Sequence, residues 1–329
     1  MKERWWLSNF SPMDLTGGTE LSAEKYCRIL NLKYMSASKL GIRRLPGTAF
    51  GWDIAKEIDD VLSDVSLEFI MYNSVNCWSR KPNADKSICI CNENFNREAK
   101  SVSDSRFVKL KLDEWSYQKK AVANADKVIT VSRQEHDYLL EDVGIESDIL
   151  ESSTRLDLFF PMDKKRARTE LGLPIDKKIF LFVGRRHIRK GYDIILELAK
   201  LHPEYIFVNI VGDLPGAKPK NIEETGNVAD EDMNLFYNSA DYLLAPSRYE
   251  SFGLMFTEAL ATNTPIIGSR VGIAHDIPEA YGIFLDEITT EAFNKALDSS
   301  NRSFEPGRAL AEKRFSYEVM AENLRRIAQ

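Results

Sequence analysis

Residues 178–201 read KIFLFVGRRHIRKGYDIILELAKL, and three kinds of segment follow one another in them. KIFLFVG is a short, continuous apolar run ending in glycine, the pattern of a strand buried on both faces. GRRHIRKG packs four cations, Arg185, Arg186, Arg189 and Lys190, into the next turn. YDIILELAKL then carries apolar residues at helical spacing. A strand covered on both faces and followed at once by a helix predicts a parallel sheet with helical crossovers.

The chain repeats this alternation downstream. YIFVNIVG (205–212), DYLLAPS (241–247) and PIIGS (265–269) read as strands, and MNLFYNSA (233–240) and GLMFTEALAT (253–262) as helices. Gly184, Gly212, Ser247 and Ser269 close the strands. Parallel strands end along one edge, and open α/β sheets bind ligands there. The loops GRRHIRKG, GDLPG, SRYESFG and SRVG are therefore expected to line one site. The first half is less regular. WWLSNF, LEFIMYNS, SICICN and KVITVS read as strands, LSAEKYCRILN and EWSYQKKAVANA as helices. A looser stretch at about 150–176, with a basic cluster from Lys164 to Arg168, marks the domain junction. The expected division is 1–155, 156–315 and a last helix, 316–329, packing back toward the first domain.

Composition bounds the class. With 329 residues and 43% hydrophobic content, the chain can bury two cores. No apolar run reaches the roughly 18 residues that span a bilayer, which points to the cytoplasm, with peripheral membrane attachment left open. Residues 1–160 carry 22 basic and 25 acidic side chains, and residues 161–329 the same numbers, so neither half is a basic nucleic-acid domain. Residues 97–120 hold seven Lys or Arg against four acids, a solvated face or a platform for an anionic acceptor. Cys27, Cys77, Cys89 and Cys91 lack zinc spacing and read as buried thiols. The four histidines, His136, His187, His202 and His275, form no metal cluster, and neither a G-x-G-x-x-G fingerprint nor a P-loop is present.

The loops carry the chemistry. Four cations at a strand end suit phosphate oxygens, Arg as a planar fork and Lys as a point charge. Gly253 leads into a helix whose first amides and dipole favour anionic or hydroxyl oxygens. Glu258 is the only charge between Glu250 and Arg270, among Met, Phe, Ala and Leu. An unpartnered buried carboxylate is costly, and ligand hydroxyls such as those of a ribose offer it partners. LTGGTE places Gly17 and Gly18 before a helix of the first domain, a second candidate diphosphate contact.

Together these segments resemble the family 4 glycosyltransferases of the GT-B fold. PSRYESFGLMFTEALATNTPII is similar to that family's E-x7-E signature, with Glu250 and Glu258 as its acids. FVGRRHIRKGYDIILELAKL resembles its phosphate-binding strand, loop and helix, and ADKVITVSR and STRLDLFFP its interdomain region. The resemblance is strong over about 120–290 and weaker before. It implies two Rossmann-like parallel-sheet domains facing each other across a crevice. It implies a retaining hexosyltransferase that moves a sugar from a nucleoside diphosphate, a UDP-sugar such as UDP-glucose first and GDP-mannose next. The acceptor is a hydroxyl of a glycan, a lipid-linked saccharide or a small molecule, and a nucleic-acid base is the less favoured option. Glu258 then holds the donor ribose, and Glu250 with the backbone of Ser251, Phe252, Gly253 and Leu254 faces the sugar. Arg185 and Lys190 neutralise the diphosphate, with Arg186 and Arg189 as bystanders, and Val228 lies by the base. No metal or other cofactor is required. Relatives carry a histidine after the first domain's fifth strand. This chain has Asn92-Glu93-Asn94, so Asn94 or Glu93 stands in for it. GDLPG also lacks the second glycine of the usual turn. Two other readings stay open: a nucleotide-sugar 2-epimerase of the same fold, and, motivated by the missing histidine, a weakly active pseudo-transferase serving as a partner subunit.

Overall fold

The computed structural model describes residues 2–8, 18–42, 52–212, 217–300 and 302–329. The chain divides into two compact units, Met1–Ser152 with Met320–Gln329, and Ser153–Val319.

In the first unit, β1 (Glu3–Ser8), α1 (Gly18–Leu30), β2 (Lys33–Ser36), α2 (Trp52–Leu62), β3 (Leu67–Asn73) and β4 (Ala84–Cys91) come first. They are followed by α3 (Phe95–Lys100), α4 (Ser105–Ala123), β5 (Lys127–Thr130), α5 (Arg133–Val143) and β6 (Asp148–Ile149). The sheet runs β2-β1-β3-β4-β5-β6, all parallel. β3 and β4 sit centrally and read as apolar runs because both faces are covered: Ile70, Met71, Tyr72, Ile88, Cys89 and Ile90 are fully buried.

The second unit contains α6 (Lys164–Glu170), β7 (Ile179–Val183), α7 (Tyr192–Leu201), β8 (Ile206–Ile210), β9 (Ile222–Thr225) and α8 (Asp230–Ser239). Then come β10 (Tyr242–Ala245), α9 (Leu254–Ala261), β11 (Ile266–Ser269), β12 (Gly282–Leu285), α10 (Thr290–Asp298) and α11 (Arg308–Phe315), and the chain passes into α12 (Tyr317–Ala328), which from Met320 on belongs to the first unit. Its sheet runs β12-β11-β10-β7-β8-β9, again all parallel. The strand order doubles back beside β7: the chain runs outward through β8 and β9, then returns to place β10 on the other side of β7. That reversal is a topological switch point, where a crevice opens at the carboxyl ends of β7 and β10. Phe180 of β7 anchors the sheet's core, stacked 5.6 Å from Phe207 and 5.9 Å from Tyr242.

The structure extends the sequence reading in three places. The strands β2, β6, β9 and β12, which lie at the sheet edges, were not read from the sequence. α4 begins at Ser105, well before the segment read as helical, with Asp104 capping the amides of Arg106 and Phe107. The basic cluster at the junction is a helix, α6, capped by Asp163. Arg168 in it is buried: it donates to the carbonyls of Ser239, Ile175 and Lys177 and pairs with Asp241 at 2.8 Å. These cations belong to the second unit's own packing. Within the first unit, the carbonyls of Ala328 and Ile327 at the end of α12 accept hydrogen bonds from Lys86 and Lys127, 3.0 and 2.8 Å long. Cations there offset the negative end of the helix dipole.

Candidate active site

The site builds up from two loops of the second unit, 184–191 after β7 and 246–253 after β10. Gly191 brings them together. Its φ is +72°, and a Cβ there would lie 2.0 Å from the carbonyl oxygen of Pro246, so only glycine fits. The Arg248 amide donates to the carbonyl of Arg189 at 2.7 Å, and the Arg248 guanidinium grips Asp193 through two bonds of 2.8 and 2.7 Å. The cation loop is thus held against the loop that carries Glu250.

Lys190 Nζ lies 2.5 Å from Glu250 Oε1, and Ser247 Oγ donates to the same oxygen at 2.7 Å. Glu250 is buried and Lys190 largely so. Burial pushes the Glu250 carboxyl up. The charges of Lys190 and Arg189, with the bonds from Lys190 and Ser247, outweigh it and hold the group below the usual glutamate range. Glu250 is therefore a fixed carboxylate at neutral pH.

Phe252 packs inward, edge-on to Phe315 at 6.1 Å, and Gly253 turns the chain with φ +88° into α9. The first amides of α9 are left without helical partners by construction. Ile273, in the loop after β11, donates to the Phe252 carbonyl at 2.8 Å, so a third strand-end loop joins the cluster. One turn along α9, Glu258 is half-buried, with Tyr237 donating to its Oε2 at 2.5 Å. Burial drives the Glu258 carboxyl up to about 7; the Tyr237 bond opposes this and Asp230 adds to it. Two glutamates eight residues apart are thereby set in opposite directions, one locked as an anion and one poised to titrate.

Arg185, Lys190, Glu250, Ser251, Phe252, Gly253, Leu254 and Glu258 all fall on these adjoining loops and the start of α9. Val228 follows β9 and precedes α8, on the same carboxyl edge of the sheet. Arg185 is exposed and forms no ion pair among the described residues. Arg186 and Arg189 have partners within the unit. Arg186 pairs with Glu224, both largely buried, and Arg189 donates to the Tyr249 carbonyl at 3.2 Å. Gly17 and residues 213–216 of GDLPG lie outside the described residues, and Gly18 opens α1. Among the described residues, no group of three or more His, Cys, Asp and Glu is placed to share a metal ion.

In the first unit, the Asn94 side chain is fully buried. It caps α3 by accepting from the Arg97 amide at 3.1 Å, and donates to Asp142 at 3.2 Å. That commits Asn94 to holding α3, and no catalytic role is carried forward for it. The Glu93 carbonyl accepts from Gln118 at 2.6 Å. The basic stretch 97–120 is partly consumed internally: Arg97 pairs with Asp142 and Glu141, and Lys111 sits 2.9 Å from both Glu98 and Glu114. Cys77, Cys89 and Cys91 are buried and Cys27 half-buried, all as free thiols. Tyr237 and the Arg186–Glu224 pair were not singled out from sequence, and Ser247 was read only as the end of a strand. Nothing local marks Tyr237 or the Arg186–Glu224 pair, because their partners lie on other elements.

Residues 163–303 match the family described as glycosyl transferases group 1. D-inositol 3-phosphate glycosyltransferase of Mycobacterium tuberculosis is 29% identical, across 47% of this chain and 36% of that protein. The chain thus spans little more than a third of the length of the curated relatives it matches. Among solved structures, sucrose-phosphate synthase from Thermosynechococcus elongatus superposes with a TM-score of 0.83 at 20% identity, covering 100% of this chain and 98% of that one. HepE of Anabaena, solved with UDP and glucose, gives 0.71 at 12% identity, over 100% and 99%. The fold is that of the GT-B glycosyltransferases. Residues 163–303, the stretch that matches that family, include Glu250 and Glu258.

Proposed function

We propose that this chain is a retaining glycosyltransferase that uses a nucleoside-diphosphate sugar. The observation that carries the reading is the cluster in the second unit. A cation pair, Arg185 and Lys190, adjoins a fixed carboxylate, Glu250, a helix start at Gly253, and a half-buried Glu258 whose carboxylate, among the described residues, accepts only from Tyr237. A diphosphate satisfies the cations and the helix amides. A ribose supplies hydroxyl donors for Glu258. In the transfer step the bond from the sugar carbon to the β-phosphate oxygen breaks, and its electron pair goes to the phosphate. The acceptor oxygen bonds to the same face of that carbon, and its proton passes to the departing phosphate. Charge stabilisation of the leaving diphosphate by Arg185 and Lys190 supplies the main catalytic effect, and a metal ion is not needed for it.

The donor to test first is UDP-glucose, then GDP-mannose. Native mass spectrometry of the chain with each should show a one-to-one complex and slow release of free sugar. With an acceptor found by screening saccharides and polyols, proton NMR of the product should show the donor's anomeric configuration. EDTA should leave the rate unchanged. Absence of any nucleotide-sugar complex overturns the proposal, an inverted product overturns retention, and a loss restored by Mg²⁺ or Mn²⁺ overturns the cation-loop mechanism.

A further inference from the structure

A buried polar clasp joins three segments around the proposed nucleotide site. Arg186 opens the cation loop, Tyr192 begins α7 just past Lys190, and Glu224 lies near the end of β9, four residues before Val228. Arg186 Nη2 donates to Glu224 Oε2, and the Tyr192 hydroxyl donates to Glu224 Oε1. The Arg186 guanidinium also stands 5.8 Å from the centre of the Tyr192 ring. Only 14% of the Arg186 side chain and 7% of the Glu224 side chain are exposed. Asn209 of β8 is in register with Glu224, so the two share a face, and it is fully buried beside Tyr192.

Stability alone gives a weak reason for such a pair. Desolvating two charges is expensive, and apolar residues of similar volume usually stabilise as well or better. What the pair does provide is a fixed geometry, since a bonded guanidinium tolerates few arrangements. The segments it fixes are the two ends of the loop holding Arg185 and Lys190, and the strand leading into the Val228 turn.

We infer that Arg186, Glu224 and Tyr192 are positioning residues that set the cation loop against the base-side turn, so that one nucleoside diphosphate is gripped at both ends. The inference rests on the nucleotide-sugar reading and adds to it a determinant of donor affinity outside the signature residues. None of the three needs to touch the ligand.

The test uses the whole chain and an apolar replacement of the pair, Arg186→Met with Glu224→Met. Thermal melting and calorimetric titration with UDP, GDP and ADP are compared with the parent. The double variant should melt within a few degrees of the parent, yet bind the parent's preferred nucleotide at least tenfold more weakly. Arg186→Lys, which keeps the charges paired, should recover much of the affinity. Affinity within twofold of the parent in a folded double variant reduces the clasp to ordinary packing and overturns the inference. Should the double variant fail to fold, Tyr192→Phe decides: about threefold weaker binding with an unchanged melting point supports the clasp, and unchanged binding overturns it. The two readings fail differently. A parent that binds none of the three nucleotides removes the proposed function and this inference together. A parent and double variant that bind alike remove only the inference.

Discussion

Glu250 and Asn94 each stand a few residues beyond a parallel strand, one in each unit, and their side chains do opposite things. Asn94 has spent both its amide atoms internally, on the Arg97 amide and on Asp142. Glu250 is also buried, but its partners Lys190 and Ser247 sit on loops whose neighbours, Arg185 and the start of α9, retain capacity for a ligand. The same contrast runs along the two edges. Strand ends of the first unit carry amides bonded to one another, as Asn92 to Asn73 at 2.8 Å. Those of the second carry opposed charges in close quarters. A strand-end residue is therefore informative about function only when its bonding capacity is not already used by the fold.

Breaking the charged edge should have the largest effect. Arg185→Ala and Lys190→Ala should each lower kcat by a few hundredfold, about 3–4 kcal/mol by analogy with a lost oxyanion donor, and raise KM less. The structure separates the two. Arg185 is exposed, so its loss should leave the melting temperature unchanged. Lys190→Ala also strands the buried Glu250 carboxylate and should lower it. Arg185→Lys should rescue only in part, because an ammonium cannot fork two oxygens. Steady-state kinetics with melting curves decide it, and a change confined to KM in both variants would leave only a generic basic surface.

A smaller effect belongs to Glu258. Glu258→Ala should weaken nucleotide binding about tenfold to a hundredfold, the loss of a charge-assisted bond of roughly 1.5–3 kcal/mol. Glu258→Gln should do less harm. Unchanged affinity in folded Glu258→Ala, read by calorimetry, removes the ribose role.

The pH dependence sharpens the contrast between the two glutamates. Glu258 is raised from 4.5 to about 7, so it is protonated over a range where Glu250 is ionised. As an acceptor of ribose hydroxyls it works as the carboxylate. Its ionised fraction rises about tenfold between pH 6 and pH 8, and nucleotide affinity should follow it upward. Glu258→Gln gives the reference, since the nucleotide's own phosphate titrates nearby, and parallel pH profiles for both proteins would contradict the assignment. Stability of the free protein runs the other way. The raised group favours the folded state fully below about 4.5, and that contribution is lost as pH rises through about 7.

The smallest effect lies in the first unit. Asn94→Ala removes a helix cap, typically about 1 kcal/mol, and should lower the melting temperature by a few degrees, with Asn94→Ser recovering most of it. A hundredfold fall in kcat in both variants, with melting restored in the serine one, would return catalysis to this edge and end the comparison.

The sequence by itself determined a good deal. Buried parallel strands announce themselves as apolar runs, so β7, β8, β10 and β11 and their carboxyl-end loops were legible. With them came the convergence of Arg185, Lys190, Glu250 and Glu258, because parallel topology alone puts strand ends on one edge. What tertiary structure decided is which partner each charge takes. Lys190 meets Glu250 across 60 residues, Arg186 meets Glu224 across 38, and Tyr237 meets Glu258 across 21. Such pairings leave no periodic trace, since they depend on where separate strands and helices come to rest. The partial cover of β9 and β12 and the brevity of β6 hid those strands for a related reason: half-covered or two-residue strands lack the apolar run that burial on both faces imposes. Asn94 shows the reverse limit. Its residue type and place after a strand suited a site, and only the folded backbone of α3 reveals that its hydrogen bonds were already taken.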